Sequence, residues 1–315
     1  MEYLEEIRIA IDKGIENYLY EMEPKNLYDA VKHLPFAGGK RLRPIIAFIS
    51  CEAVGGRGED TIPFGVALEL IHTFTLIHDD IMDKDEERRG KPTVHKLFGE
   101  NTAIMAGDAL FAKSFEIASQ IENDKIAKRI LRNLAIMAKE ICEGQDMDMS
   151  FEKMEYVDEK KFLEMIEKKT AKMFEHASMG GAIIGRAKEK EIEALRNYGL
   201  NLGMAFQIWD DCLDVIGKNI GKPVGSDIRR GKKTILYIYA YKKDRERLLK
   251  NYGKESEEDV KKAISFLEEI GAIDYAKNMA FSYVEKAKRA LEKIKNSEEK
   301  KRLIEIAEFA VKREK

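Results

Sequence analysis

The chain has only three cysteines in 315 residues, Cys51, Cys142 and Cys212. They are too few and too scattered for a disulfide framework or a CxxC metal site, and they suit a reducing compartment, so a cytoplasmic location is expected. Neither sign of charge dominates: 55 Lys and Arg face 57 Asp and Glu, a net charge of −2. No global field therefore calls for nucleic acid or an anionic membrane surface. Long apolar runs are missing too, because Glu69 and His72 interrupt the longest candidate, so no membrane-spanning helix is expected. The opening Met1-Glu-Tyr-Leu-Glu-Glu lacks the basic start and apolar centre of a signal peptide. Glutamine is confined to Gln120, Gln145 and Gln207 beside abundant Lys and Glu, a balance resembling proteins of thermophiles. Alternating strand patterns are absent, as is any proline between Thr93 and Lys222, so nothing there breaks a helix.

Helical periodicity fills the space these absences leave. Apolar residues recur at three- and four-residue steps from Leu4 to Met22, and the apolar stretch from Thr61 to Asp83 reads as one long helix. Four more long helices are predicted at Ile104 to Ile121, Ile126 to Met149, Phe162 to Ile184 and Ile192 to Ile216. The segment from Thr234 to Lys315 alternates acids and bases on helical periods and reads as packing and solvated surface. With no internal repeat and no linker, the expectation is one all-α domain over residues 1–315, a single large helical bundle.

Charge within this apolar background is informative. Asp79-Asp80-Ile81-Met82-Asp83 and Asp210-Asp211-Cys212-Leu213-Asp214 share one spacing, which on a helix puts the first and last carboxylates on one face, roughly 5–6 Å apart at their bases. A lone cluster of this kind is usually a solvated face. Two in apolar settings imply a wet, cation-filled cavity, and oxygen-only ligands favour Mg2+.

Cationic segments accompany them. Gly38-Gly39-Lys40-Arg41-Leu42-Arg43-Pro44 sits at the entry to a helix, where backbone N–H groups and cations suit an anion. Arg88-Arg89-Gly90-Lys91 follows the first aspartates at once, placed to clamp diphosphates that bridge metals. Beyond Asp214, glycines and lysines through Lys222, Lys232 and Lys233 describe a mobile cationic loop that could close over a bound anion. Lys169-Thr170, and Gln207 one turn before Asp211, gain meaning only if they face the cavity.

Taken together, GGKRLRP, HDDIMD with RRGKPTVH, GDAL at Gly107 to Leu110, Lys169-Thr170, and FQIWDDCLD with GKPVGSD and GKKT resemble the trans-isoprenyl diphosphate synthases, the head-to-tail prenyltransferases that make farnesyl and geranylgeranyl diphosphates. The resemblance runs over nearly all of the chain. It implies an all-α isoprenoid synthase type I fold around a deep central cavity, usually as a homodimer. It further implies that Asp79 and Asp83 hold two Mg2+ ions and Asp210 a third, with Asp80, Asp211 and Asp214 in supporting or water-mediated roles. Lys40, Arg43, His72 and Arg89 would hold isopentenyl diphosphate, and Arg88, Lys169, Lys222 and Lys232 the allylic diphosphate. Thr170 and Gln207 would face the allylic cation.

Phe74 and Thr75, one helical turn and more before Asp79, are expected to floor the cavity and set product length, a pairing that resembles archaeal-type geranylgeranyl synthases. Two alternatives stand beside this reading: a non-catalytic regulatory subunit of the same fold, and an HD-type metal phosphohydrolase built on His72 and His78-Asp79. A cyclase or head-to-head synthase of the same fold is a further option, but GGKRLRP implies a second diphosphate site that a simple cyclase does not need.

Overall fold

A computed structural model describes residues 2–20, 23–217 and 224–313. Among these the protein is helical almost throughout, and its one sheet is the two-residue antiparallel pair Glu87–Arg88 and Lys91–Pro92. The residues form two compact units, each drawn from three separate segments: 1–138, 176–195 and 294–300 in the first; 139–175, 196–293 and 301–315 in the second.

The first unit is built on the helix Ile62–Met82, whose residues from Phe64 to Ile71 are buried without interruption. It is apolar on all sides because it is core on all sides. By length and composition the stretch Gly58–Met82 could cross a membrane, at mean hydropathy 1.2, yet 61% of that window is buried inside the protein. Glu69, which interrupts the run, is itself buried.

Small residues let the neighbours approach. A Cβ on Gly107 of the helix Glu100–Ala118 would lie 2.3 Å from His78 Nε2, and one on Gly181 would lie 2.0 Å from the Ala47 carbonyl oxygen. The turn of the strand pair has Arg89 at φ 55° and Gly90 at φ 71°, the left-handed pair that a two-residue hairpin requires.

The second unit holds Ile235–Lys243, Glu257–Glu269 and Ala272–Ala290. Buried Tyr198 donates from its hydroxyl to the Leu303 carbonyl at 2.7 Å. The predicted continuous helix from Phe162 to Ile184 is instead Glu159–Ile166, a π-helical turn Glu167–Ala171, and Lys172–Ile184. In the π turn the Lys172 N–H reaches back five residues to the Glu167 carbonyl, and the backbone bulges. Gly144 makes room for the bulge, since a Cβ there would meet the Lys169 nitrogen at 2.3 Å.

Candidate functional site

In the first unit Asp79 and Asp83 stand one turn apart at the C-terminal end of Ile62–Met82, the Asp83 N–H donating to the Asp79 carbonyl at 2.8 Å. Asp79 is half-buried and Asp83 exposed, whereas Asp80 turns inward. Arg88 donates from Nε to Asp80 Oδ1 at 2.5 Å, but Asp80 Oδ2 is buried with no hydrogen-bond partner. Burial pushes the Asp80 carboxyl up to about 6 against the opposing pull of Arg88.

The second arginine of the hairpin turns the other way. Arg89 donates to the Gly38 carbonyl, and a Cβ on Gly39 would come within 3.1 Å of its guanidinium, so the absence of a side chain at Gly39 lets the arginine rest on the loop. His72, on the same long helix, sits among these cations. Burial first, then the charges of Arg43, Arg89, Arg88 and Arg41, hold its imidazole well below the usual 6.5. The histidine is thus a neutral donor in a cationic pocket.

In the second unit a cleft gathers Lys169, Thr170, Gln207, Asp211, Asp227 and Lys232. The π turn presents Lys169 to Asp148, Nζ to Oδ2 at 2.6 Å. The Thr170 hydroxyl donates to Gln207 Oε1 at 2.9 Å, and Gln207 Nε2 donates to Asp211 Oδ1 at 3.1 Å. Asp211 Oδ2 is a second buried carboxylate oxygen with no hydrogen-bond partner, and burial followed by the charge of Asp227 drives this carboxyl far above the usual range.

Asp214 anchors the loop that follows: its Oδ2 accepts from the Asp227 N–H at 3.1 Å and its carbonyl from the Gly225 N–H at 2.7 Å. Asp210 accepts from Arg313 Nη2 at 2.5 Å, and the Arg313 guanidinium lies 3.7 Å from the centre of the Phe206 ring. Among the described residues no three Asp, Glu, His or Cys side chains converge as a ready-made metal site.

The polyprenyl synthetase family model matches residues 24–267. The chain belongs to the polyprenyl synthetase family. Geranylgeranyl diphosphate synthase of Methanosarcina mazei is 42% identical over 309 residues, covering 96% of this chain and 95% of its own. The crystal structure of geranylgeranyl pyrophosphate synthetase from Pyrococcus horikoshii superposes with a TM-score of 0.94 at 45% identity, over 99% of this chain and 98% of that one. Polyprenyl synthase from Caulobacter crescentus, solved in complex with calcium and isoprenyl diphosphate, gives 0.91 at 32% identity, over 100% of this chain and 97% of its own. As a member of the family this all-α chain is a prenyltransferase.

Within this synthetase the predicted residues fall into two groups. Arg88 and the first aspartates share the end of one helix and its hairpin, while Arg89 donates to the Gly38 carbonyl and, with Arg43, lies among the charges that bear on His72. Lys169, Thr170, Gln207, Asp211 and Lys232 line the cleft of the second unit. Lys40 is exposed, and Lys222 lies outside the described residues. Phe74 stacks edge-on with His78 at 4.8 Å and tilts against Phe111 at 5.2 Å, which continues to Phe115 at 5.0 Å; Thr75 bonds back to the His72 carbonyl at 2.8 Å.

The sequence reading missed Asp148, Asp227, Glu69 and Arg313. Asp227 had a signal, since it closes the GKPVGSD string, and Glu69 had one as a lone charge in an apolar helix.

His72 allows a prediction of direction. With the folded pKa depressed, the unfolded chain binds the extra proton below about 6.5, so stability is full above that pH and falls beneath it by up to about 1.4 kcal/mol per pH unit. His72→Gln should flatten that part of the profile in denaturant midpoints taken from pH 7.5 to 5. An unchanged slope would show that the histidine is not held neutral.

Proposed function

We propose that the chain is a short-chain trans-isoprenyl diphosphate synthase, joining isopentenyl diphosphate head to tail to dimethylallyl, geranyl and farnesyl diphosphates, with geranylgeranyl diphosphate as main product. The observation that carries this reading is the second unit's cleft, where Lys169 and Lys232, cations for a leaving diphosphate, stand beside Thr170 and Gln207, neutral oxygens for a carbocation. Residues 1–315 act as one catalytic domain in the cytoplasm.

The acidic clusters fit divalent cations. Each holds one buried carboxylate oxygen, Asp80 Oδ2 and Asp211 Oδ2, that no protein donor satisfies, and the donor set is all oxygen. Asp79, Asp83 and Asp210 would hold Mg2+, with Asp80, Asp211 and Asp214 behind them; few protein ligands per ion is usual for this metal. When bound, the metal supplies Lewis-acid neutralisation of the departing diphosphate.

The chain's own groups do the rest. Lys169 and Lys232, with Arg88 and Lys222 by family analogy, hold the allylic diphosphate while its C–O bond breaks and the electron pair leaves with it. Asp148 keeps Lys169 aimed. Because the Thr170 O–H is spent on Gln207, the threonine oxygen keeps lone pairs for the allylic cation. Lys40, Arg43, His72 and Arg89 hold isopentenyl diphosphate, whose double bond attacks that cation. A proton then passes to the departed diphosphate, so no side-chain base is needed.

A homodimer is part of the proposal. Ile104 and Met105 on Glu100–Ala118 are 44% and 51% exposed, apolar area suited to a partner surface.

The test is product analysis with Mg2+, isopentenyl diphosphate and each allylic starter in turn, sizing the dephosphorylated products. Elongated prenyl alcohols support the reading. No elongation by folded, metal-loaded protein would point to a regulatory subunit, and phosphate release from nucleotides to a hydrolase.

A further inference from the structure

We propose that Glu69 is a positioning residue for isopentenyl diphosphate: buried in the first unit, it fixes Arg41 and, through it, the loop and Arg89 that receive this substrate. The proposal rests on the assignment of that pocket made above.

Arg41 is the second cation of the GGKRLRP string, yet it does not share the roles of its neighbours. It takes the left-handed conformation at φ 49°, and its side chain is buried while Lys40 is exposed. There it is 3% exposed and donates three times: Nε to Asp12 Oδ1 at 2.8 Å, Nη1 to Glu69 Oε1 at 2.7 Å, and Nη2 to the Pro35 carbonyl at 2.6 Å. A left-handed arginine persists only where the surroundings hold it, and these three bonds do so.

The same Glu69 oxygen lies 4.0 Å from Arg89 Nη2, and Arg89 donates to the Gly38 carbonyl at the start of the loop. One carboxylate thus stands between two guanidiniums on different segments, and the glycine loop is held by both. Glu69 is 2% exposed and is itself an anion, so it cannot serve as a ligand for diphosphate. What it can do is neutralise buried Arg41 and keep Arg89 against the loop, leaving Arg89, Arg43 and neutral His72 arranged for an incoming anion.

The experiment compares wild type, Glu69→Gln and the double variant Arg41→Met/Glu69→Leu in steady-state elongation, varying each substrate separately, together with melting temperature. Glu69→Gln should raise KM for isopentenyl diphosphate by roughly tenfold, the effect of losing a charged hydrogen bond, while kcat and KM for the allylic substrate stay within about threefold. The double variant replaces the buried pair with apolar groups, which often restores stability. If Glu69 positions the site, the melting temperature recovers and KM for isopentenyl diphosphate stays high. Recovery of both, or an equal rise in both KM values, would assign Glu69 a purely structural role and overturn the proposal. A wild type that elongates nothing would instead overturn the assignment of the pocket and the proposal with it.

Discussion

An Asp79→Ala enzyme is expected to lose roughly 10³-fold in kcat while melting no lower than wild type in the presence of a chelator. The first half follows from the role proposed for the first cluster. Neutralising a leaving diphosphate supplies several kcal/mol of transition-state stabilisation, and each 1.36 kcal/mol is tenfold in rate. The second half follows from position. Asp79 stands in the last turn of Ile62–Met82 with Asp83 as its C-cap, where two acids oppose the helix dipole. Removing one relieves about 0.3–1 kcal/mol, and Asp79 is only half-buried, so little packing is lost with it. Steady-state elongation at saturating Mg2+ and thermal melting in EDTA read the two halves separately. Activity within tenfold of wild type would remove Asp79 from the metal-holding set. A large drop in melting temperature would show that the carboxylate is structural.

The same opposition of function and stability explains why the aspartates could be read from sequence. An acid inside a run such as Phe74-Thr75-Leu76-Ile77 has no packing reason to be there, so six of them in two matching sets were visible without coordinates. The long helices were visible for a different reason. The stretch from Thr93 to Lys222 carries no proline, so periodicity runs uninterrupted, and Glu100–Ala118, Asp124–Glu152 and Glu189–Ile216 lie where it placed them, within a few residues.

What stayed hidden depends on backbone conformation or on distant pairing. The π turn at Glu167–Ala171 leaves no mark in a 3.6-residue pattern, although it is what carries Lys169 to Asp148. Arg41 read as one more cation of an anion-binding string, because nothing in GGKRLRP says that one arginine will turn left-handed and go inside. The chain's end read as packing and solvated surface, with no link to the aspartates. Yet Arg313 reaches Asp210, and its carbonyl accepts from the Trp209 indole N–H at 3.1 Å, a pairing of residues 104 positions apart.

Product length is the property most open to a single substitution. Phe74 is five residues before Asp79, about 7.5 Å deeper along the helix at 1.5 Å per residue. Its ring is the first of a ladder that continues through Phe111 and Phe115. On the proposed reading the growing chain points away from the aspartates toward this ladder, and elongation stops when its tail meets the first ring. Phe74→Ala should therefore make products longer than geranylgeranyl the most abundant species, raising their ratio to geranylgeranyl by at least about tenfold, equivalent to roughly 1.4 kcal/mol of barrier difference. The Phe111 and Phe115 rings remain behind it, so lengthening should halt again until Phe111→Ala is added. Stability should fall by less than the 3–5 kcal/mol of a fully buried Phe→Ala change, because Phe74 is half-buried. Chromatography of the dephosphorylated products from wild type, single and double variants decides the matter. An unchanged distribution from folded Phe74→Ala protein would remove Phe74 as the floor, and lengthening by Phe111→Ala alone would move the floor one ring down.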